Sequence, residues 1–257
     1  MNTFTQEQKK DAIAQNYARI ASNDDSCGCA TNGCCNSDGV SLNLGYSKEQ
    51  LSSIPKEADK GLGCGNPTSI ASLKNGEVVL DLGSGAGLDC FLASKEVGEE
   101  GMVIGIDMTR EMIAKARSNK DKNSYDNVDF RLGEIENLPV ADNSVDVIIS
   151  NCVINLSLDK QRVFDEAFRA LKNGGRLAIS DIVLTKQIPS HMITIDSYGA
   201  CIAGASFIND LEKLLNNSGF KDIKITPKGK SKKFLKDWSD NIENYIVSAN
   251  IEAVNLK

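Results

Sequence analysis

Eight cysteines are the residues of this 257-residue chain that are best able to do chemistry. The sequence has no signal-peptide pattern and no apolar run near the ~20 residues that span a bilayer, so we expect a cytoplasmic protein. A reducing compartment keeps cysteines as thiols, which then act as metal ligands, nucleophiles or small core residues. There is no CxxC pair, and half of the cysteines lie in the segment CGCATNGCC. The full set is Cys27, Cys29, Cys34, Cys35, Cys64, Cys90, Cys152 and Cys201.

A second group of candidate residues surrounds the glycine-rich stretch VVLDLGSGAGLD. Gly83, Gly85 and Gly87 follow an apolar run and precede a helical pattern, so the backbone can turn tightly and approach a ligand. Their G-x-G-x-G spacing differs from the dinucleotide pattern G-x-G-x-x-G, which disfavours pyrophosphate binding. Asp107, which ends the next apolar run, can accept hydrogen bonds from both hydroxyls of a ribose. Asp81, just before the glycines, could bind the amino group of an amino-acid tail.

The strands and helices that position these residues follow from the apolar pattern. Short β-branched runs predict five strands of a parallel sheet that is covered on both faces. Thr109 is expected to cap one intervening helix, and the apolar face from Val163 to Leu171 belongs to another that ends near Gly174 and Gly175. The alternation of strands and helices predicts a doubly wound, Rossmann-like α/β fold. The predicted strands cover residues 77–83, 102–108, 128–134, 145–150 and 176–183.

Elements outside this core suggest three regions. An amphipathic helix is predicted from Glu7 to Ile20, followed by a cysteine-rich loop that could act as a lid, and this N-terminal region covers residues 1–60. The Rossmann-like domain covers 61–185. Residues 186–257 form a C-terminal α+β extension that caps the substrate and completes the sheet, with a helix stopped at Gly219 and closing strands at 222–226 and 244–254.

The charge distribution limits the possible partners. The formal net charge is −6, and without clustered Lys and Arg we expect neither nucleic-acid nor membrane-surface binding. The one basic stretch, KGKSKK from Lys228 to Lys233, is interpreted as a solvated loop. We expect a small-molecule substrate and a monomer.

The order of a strand, DLGSGAG, a second strand and IDM resembles motif I and its partner in the class I S-adenosylmethionine-dependent methyltransferases. The resemblance implies S-adenosylmethionine as methyl donor, with the adenine lined by the segment GEIENLP after the third strand. Many class I enzymes that methylate nitrogen carry an Asn/Asp-Pro-Pro-aromatic segment after the fourth strand, where this chain has SNCVI. The implied donor contacts are Asp81, Gly83, Gly85, Gly87, Asp107, Met108, Glu134, Ile135 and Asn151.

A thiol at the end of the fourth strand, in VDVIISNCVINLS, favours an acceptor that needs no general base. The sequence has one histidine, His191, which we interpret as a surface or helix-end residue. Trivalent arsenic is soft and thiophilic, so thiolates are suitable ligands for it. Bound by up to three thiolates, it keeps a lone pair that can attack the sulfonium methyl, and proximity supplies much of the rate.

Five ordered motifs resemble those of the arsenite S-adenosylmethionine methyltransferases: GLGCGNP, DLGSGAGLDCFLAS, GIDMT, SNCVINL and YGACIAGA. The resemblance implies that Cys64, Cys152 and Cys201 bind arsenic and that Cys34 or Cys35 takes part in binding or in a disulfide relay. It also implies arsenite or its thiol conjugates as substrate, and glutathione or thioredoxin as reductant. Leu62 precedes GCG, whereas larger animal and algal relatives have a tyrosine at this position, in YGCG. The resemblance therefore implies that an aromatic wall at the donor is missing. No cysteine follows Cys201, so a relay would use the N-terminal group.

Other interpretations remain open. The acceptor could be a small organic molecule, with the thiols only lining a pocket, or the protein could bind arsenite without turnover. Four N-terminal cysteines are enough to hold zinc, although their spacing is poor for a closed tetrahedral site. Cys90, inside the helix after the glycine loop, is interpreted as an inert core thiol.

Overall fold

The computed structural model describes residues 4–22 and 37–257, and it describes side chains in the second range from residue 39 onward. Cys27, Cys29, Cys34 and Cys35 lie outside the described residues, so the zinc, relay and lid interpretations stay predictions. The helices are α1 (Gln6–Ser22), α2 (Ser37–Leu44), α3 (Lys48–Ser52), α4 (Thr68–Ala71), α5 (Leu88–Val97), α6 (Arg110–Lys122), α7 (Lys160–Ala170), α8 (Ile195–Gly199), α9 (Ile208–Ser218) and α10 (Lys232–Leu235).

The strands form one mixed sheet with the order β3-β2-β1-β4-β5-β8-β7, and the short β6 pairs with β5. Neighbours from β3 to β5 pair in parallel, whereas β8 is antiparallel to both β5 and β7. This confirms the Rossmann-like prediction, including the closing strands. The bounds are β1 (Val78–Leu82), β2 (Met102–Asp107), β3 (Val128–Leu132), β4 (Val145–Asn151), β5 (Leu171–Leu184), β6 (Ser206–Phe207), β7 (Lys221–Pro227) and β8 (Ile246–Val254).

The buried parallel strands explain the apolar runs. Leu80, Leu82, Ile106 and Ile148 are fully enclosed in the core beneath the helices. Parallel strands with crossover helices are covered on both faces, so their side chains have no polar face to alternate with. The carboxyl ends of these strands meet at one edge, which is where ligands bind in open α/β sheets.

One helix boundary and one helix cap differ from the predictions. Helix α7 ends at Ala170, before the expected stop near Gly174, because Leu171 is extended and begins β5. The Asn255 side-chain amide donates to the carbonyl oxygen of Leu171, which satisfies a group at the helix end. Thr109 does precede α6, but its side chain makes no capping bond; its backbone N–H instead donates to Asp107 Oδ1 at 2.8 Å.

The interpretation of KGKSKK as a solvated loop is wrong for part of the segment. Lys228 donates through Nζ to Ser180 Oγ at 3.0 Å, and its backbone N–H donates to the Ser248 carbonyl. Ser231 is buried and accepts a hydrogen bond from the Ser248 backbone. The segment therefore docks on β8, a contact far apart in sequence that composition alone does not reveal.

The N-terminal amphipathic helix is confirmed as α1. It buries Ile13, Ile20 and Ala21 and packs against α6 and α8, so it crosses the carboxyl edge of the sheet. Within residues 4–22 and 37–257, none of the helices combines the length and the apolar character needed to cross a membrane. The three-region division of the chain stays a prediction.

Candidate active site

A cavity of about 1620 Å³ lies at the carboxyl ends of β1, β2 and β4, with α1 along one side. Most of the predicted site residues line it, together with side chains from the C-terminal region. Among the predicted residues that the structure describes, Gly87 and Cys64 are the two that do not. The predicted residues on the wall are Asp81, Gly83, Gly85, Asp107, Met108, Glu134, Ile135, Asn151, Cys152 and Cys201.

The three glycines of the loop after β1 serve different purposes. All have positive φ, which disfavours other residues. A Cβ at Gly83 would lie 2.4 Å from Val153, and one at Gly87 would lie 2.7 Å from Phe91, so both positions need glycine for packing. A Cβ at Gly85 would meet nothing within 4 Å, because this backbone faces the cavity. Gly85 is therefore the glycine that leaves room for a ligand.

Two carboxylates flank this loop. Asp107 Oδ2 accepts from the Gly85 backbone N–H at 3.0 Å, and its Oδ1 accepts from Thr109, which fixes the carboxylate and leaves further lone pairs for a ribose. Asp81 is 1% exposed; its Oδ2 accepts from the Cys90 thiol, and its Oδ1 has no hydrogen-bond partner among the described residues. Burial, with Asp89 nearby, raises the pKa of Asp81 well above its ordinary value. A ligand ammonium would satisfy this orphaned oxygen.

Cys90 is buried inside α5, as expected for a core thiol, but its sulfur contacts Asp81. The predicted adenine contacts lie further along the cavity. Met108 is exposed, Ile135 packs into the core, and Glu134 pairs with Lys10 of α1 at 3.2 Å. Asp81, Asp107 and the apolar side chains of Met108 and Ile135 all line this one cavity.

Three thiols from distant parts of the chain converge beside this wall. Cys64, Cys152 and Cys201 are free, each at most 5% exposed, and share one apolar cluster. Cys152 is central, because its side chain is hydrogen-bonded to both other thiols, and Cys201 Sγ also donates to the Cys152 carbonyl at 2.7 Å. Bonding to Cys201 and Cys64, together with burial, raises the pKa of Cys152, and burial raises that of Cys64.

The backbone at two of these thiols is strained. Cys152 and Cys201 both have φ of +61°, in the left-handed region that non-glycine residues enter at a cost of roughly 1–2 kcal/mol. Such conformations persist only where the surrounding structure fixes them, and they concentrate at functional sites. At position 152 the turn follows the end of β4 and aims the thiol at Cys64.

The loop that carries Cys64 is clamped from both sides. Asn151 Oδ1 accepts from the Cys64 backbone N–H at 2.9 Å, and Asn151 Nδ2 donates to the Gly65 carbonyl at 2.7 Å. A Cβ at Gly63 would lie 2.7 Å from the Asn151 amide, and one at Gly65 would lie 1.9 Å from Ser180 Oγ. Packing therefore requires glycine on both sides of Cys64. Asn151, predicted as a donor contact, borders the cavity but uses its amide to hold the thiol loop.

Charged residues that the sequence analysis missed surround the thiols. Ligand atoms of Cys64, Cys152 and Asp181 all lie within 4.8 Å of one another, a group that does not include Cys201. Burial raises the pKa of Asp181 to about 6, and its Oδ2 has no hydrogen-bond partner within the described part of the chain. The positive charge of Lys228 opposes the rise in the Cys64 pKa, and Lys160 faces Asp181 and Cys201. The position of Asp181 near the end of a predicted strand was the available signal.

Comparison with known proteins agrees with this arrangement. Residues 73–241 match the family model described as "Methyltransferase domain". The chain is 50% identical to an arsenite methyltransferase of Halobacterium salinarum over 96% of its length and 66% of that relative, and 38% identical to one of Aquipseudomonas alcaligenes over 84% and 63%. The crystal structure of an arsenic(III) S-adenosylmethionine methyltransferase from Chlamydomonas reinhardtii superposes with a TM-score of 0.62 at 35% identity, covering 85% of this chain and 73% of the other. The chain spans about two thirds of these curated relatives.

Proposed function

The chain belongs to the arsenite S-adenosylmethionine methyltransferase family, and from that premise we propose that it methylates trivalent arsenic held by Cys64, Cys152 and Cys201. The observation that carries the proposal is the convergence of three buried thiols beside the cavity that Asp81, the glycine loop and Asp107 line. A methyl donor and a thiophilic acceptor could meet there without any further group.

The donor side needs residues that hold a charged ligand in one orientation. Asp81 Oδ1 would accept from an ammonium, Asp107 would accept from ribose hydroxyls, and the open backbone at Gly85 would let the ligand approach closely. S-adenosylmethionine supplies an electrophilic methyl on a sulfonium. The chain's part is to bind the ligand and point that methyl toward the thiols, because proximity and alignment lower the barrier of a displacement.

The acceptor side needs thiolates in a pyramid. Arsenite binding exchanges hydroxides for thiolates, and each thiol proton leaves with one hydroxide as water, so the binding step needs no separate base. Lys228 and Lys160 offer positive charge beside the sulfurs. Arsenic would then keep its lone pair, which could attack the methyl as the carbon–sulfur bond breaks and the donor leaves as a thioether. This step formally oxidises As(III) to As(V), and the external thiols would return it to As(III) as they form a disulfide, so the buried site can work without a histidine.

The partners follow from the same chemistry. Glutathione or thioredoxin would deliver arsenic or return oxidised cysteines to thiols, with Cys34 or Cys35 taking part in a relay. The free state of Cys64, Cys90, Cys152 and Cys201 in the described residues supports a reduced working form. We propose a monomer acting in the cytoplasm.

The test is anaerobic incubation of the reduced protein with arsenite, S-adenosylmethionine and glutathione, followed by chromatography with arsenic-specific detection. Methylated arsenic is expected, and its yield should fall when arsenite is omitted or thiols are blocked. Binding of both ligands with no methylated product would contradict the proposed function and favour a protein that only sequesters arsenite. Methylation of an organic acceptor that survives thiol blocking would also contradict it, and would favour a methyltransferase of a small organic molecule.

A further inference from the structure

Helix α1 bridges the two halves of the cavity. Near its start, Lys10 pairs with Glu134 on the donor side, and near its end the Ala21 carbonyl accepts from Lys115 of α6. The helix also packs along α8, the element that leads into Cys201. A residue in the middle of α1 therefore contacts both the donor wall and the thiol cluster.

Tyr17 is that residue. Its side chain, like that of Leu62, packs against the cluster that contains Ala86 and Met112, next to the glycine loop. Its hydroxyl lies beside the Cys201 side chain, with Cys152 and Asp107 close enough to interact with it electrostatically. Tyr17 also lines the cavity, so the phenol lies between the proposed ribose carboxylate and the proposed arsenic ligands.

We propose that Tyr17 is a positioning residue for methyl transfer: its hydroxyl orients the Cys201 sulfur for arsenic, and its ring forms the wall between donor and acceptor. The inference rests on the proposed function and adds a residue to that site. Because Leu62 is not aromatic, the resemblance implied that an aromatic wall at the methyl donor is missing. The structure places the Tyr17 ring on the same apolar cluster as Leu62, supplied by a helix about 45 residues earlier in the chain.

Cys201 has a particular need for such a partner. Asn151 anchors the Cys64 loop and the end of β4 carries Cys152, whereas Cys201 follows the five-residue helix α8 with a left-handed backbone. Its thiol proton is used on the Cys152 carbonyl. When arsenic binds, that proton leaves with the displaced hydroxide as water, so the sulfur loses this bond. The Tyr17 hydroxyl, a donor beside Cys201, can then supply a hydrogen bond to the sulfur.

The donor role needs only a protonated phenol, which is the ordinary state of tyrosine at neutral pH. The geometry alone already separates Tyr17 from the other tyrosine at the α1–α8 contact. Tyr198 packs edge-on against Phe4 and lies under the Lys9 ammonium, and it does not line the cavity. It offers a matched control.

The experiment compares Tyr17→Phe with Tyr198→Phe, each of which removes one hydroxyl and keeps the ring. Arsenite binding is followed by the fluorescence of Trp238, the single tryptophan, which packs against the thiol cluster. Tyr17→Phe should weaken arsenite binding about 3- to 10-fold, the size of one lost hydrogen bond, with S-adenosylmethionine affinity unchanged. Tyr198→Phe should leave both affinities unchanged. Tyr17→Leu, which also removes the ring, should lower kcat by about 10-fold more than Tyr17→Phe does.

The outcomes separate this inference from the proposed function. If the unsubstituted protein methylates arsenite and Tyr17→Phe binds arsenite as tightly, the inference alone is wrong. An equal loss in Tyr198→Phe would also overturn it, since the effect would then belong to helix packing. If the unsubstituted protein binds arsenite without methylating it, the function fails while the binding comparison still decides the hydroxyl's role. If the unsubstituted protein does not bind arsenite, both the proposed function and the inference about Tyr17 are overturned.

Discussion

The donor end of the cavity is built from one contiguous strand-turn-helix unit and the strand beside it, whereas the thiol end is assembled from three segments far apart in the chain. The donor end has Asp81, the glycine loop and Asp107 within 27 positions, held by backbone hydrogen bonds. The thiol end joins Cys64, Cys152 and Cys201 across 138 positions. Each of those thiols depends on a partner from elsewhere.

The two ends also differ in how their geometry is fixed. In the donor half, glycines take the left-handed conformations, at little steric cost. In the thiol half, Cys152 and Cys201 take them and must be held there by packing and side-chain hydrogen bonds. A local motif can thus bind a common ligand, while the special acceptor requires tertiary structure. We expect substitutions in each half to affect one substrate more than the other.

The largest effect is expected for Cys152→Ser. This change removes the central sulfur, to which both other thiols are hydrogen-bonded, and replaces a soft ligand with a hard oxygen. Methyl transfer should fall by at least about 100-fold, while S-adenosylmethionine binding measured by calorimetry stays within about twofold. Normal turnover by the variant would refute the arsenic assignment, and a parallel loss of donor binding would show that the two ends are not separable.

Asp81→Asn is the reciprocal change at the donor end. The variant keeps the shape of the side chain but loses the charge that would pair with an ammonium. Donor affinity should weaken by about 10- to 100-fold, the range for a lost hydrogen bond to a charged group, and arsenite affinity should be retained. Calorimetry with each ligand gives both numbers. Equal weakening of both affinities would contradict the division of the cavity into two ends.

Asn151→Ala sharpens the boundary between the ends, because the sequence predicted a donor contact and the structure shows a clamp on the Cys64 loop. Loss of two hydrogen bonds to that loop should weaken arsenite binding by about 10-fold and leave donor binding less affected. Parallel titrations with arsenite and S-adenosylmethionine decide it. A larger loss on the donor side would return Asn151 to its predicted role.

The smallest effect concerns stability and pH. Burial raises the pKa of Asp89 to about 7, although hydrogen bonds from Tyr46 and Asn151 oppose the rise. Between about pH 4 and pH 7 the native state then binds more protons at this site than the unfolded chain does, so its contribution to stability falls as pH rises and is constant above. Asp89→Asn should remove this dependence and raise Tm at pH 8 relative to the unsubstituted protein by a few degrees. Thermal melts at pH 5 and pH 8 measure it, and an unchanged difference between the two pH values would contradict it.

The donor half and the sheet were largely readable from the sequence, because buried parallel strands leave continuous apolar runs and the glycine loop is a local signal. Strand bounds at Val78–Leu82 and Met102–Asp107 fall within the predicted segments. The end of α7 was missed because Asn255, from beyond the last strand, binds the carbonyl of Leu171. No local pattern contains such a contact.

The three thiols were predicted from the resemblance to the arsenite methyltransferases, whereas the residues that surround them were not predicted. Lys228 was interpreted as a solvated residue, yet it docks on Ser180 next to the Cys64 loop. Tyr17 lies within the amphipathic helix predicted from Glu7 to Ile20, and only the packing of α1 on α8 brings it to Cys201. Side chains that act across tens of residues leave no spacing signal, so the partners of the thiols could be found only in the folded chain.

Arsenic K-edge X-ray absorption of the reduced protein with one equivalent of arsenite distinguishes two possible sets of arsenic ligands, because it counts the atoms bound to arsenic. The compact group of Cys64, Cys152 and Asp181 offers two sulfurs and one oxygen, whereas the proposed site includes Cys201. If Cys64, Cys152 and Cys201 bind arsenic, three sulfur neighbours are expected in the unsubstituted protein and two in Cys201→Ser. Two sulfurs and an oxygen in the unsubstituted protein, or three sulfurs that persist in Cys201→Ser, would contradict it.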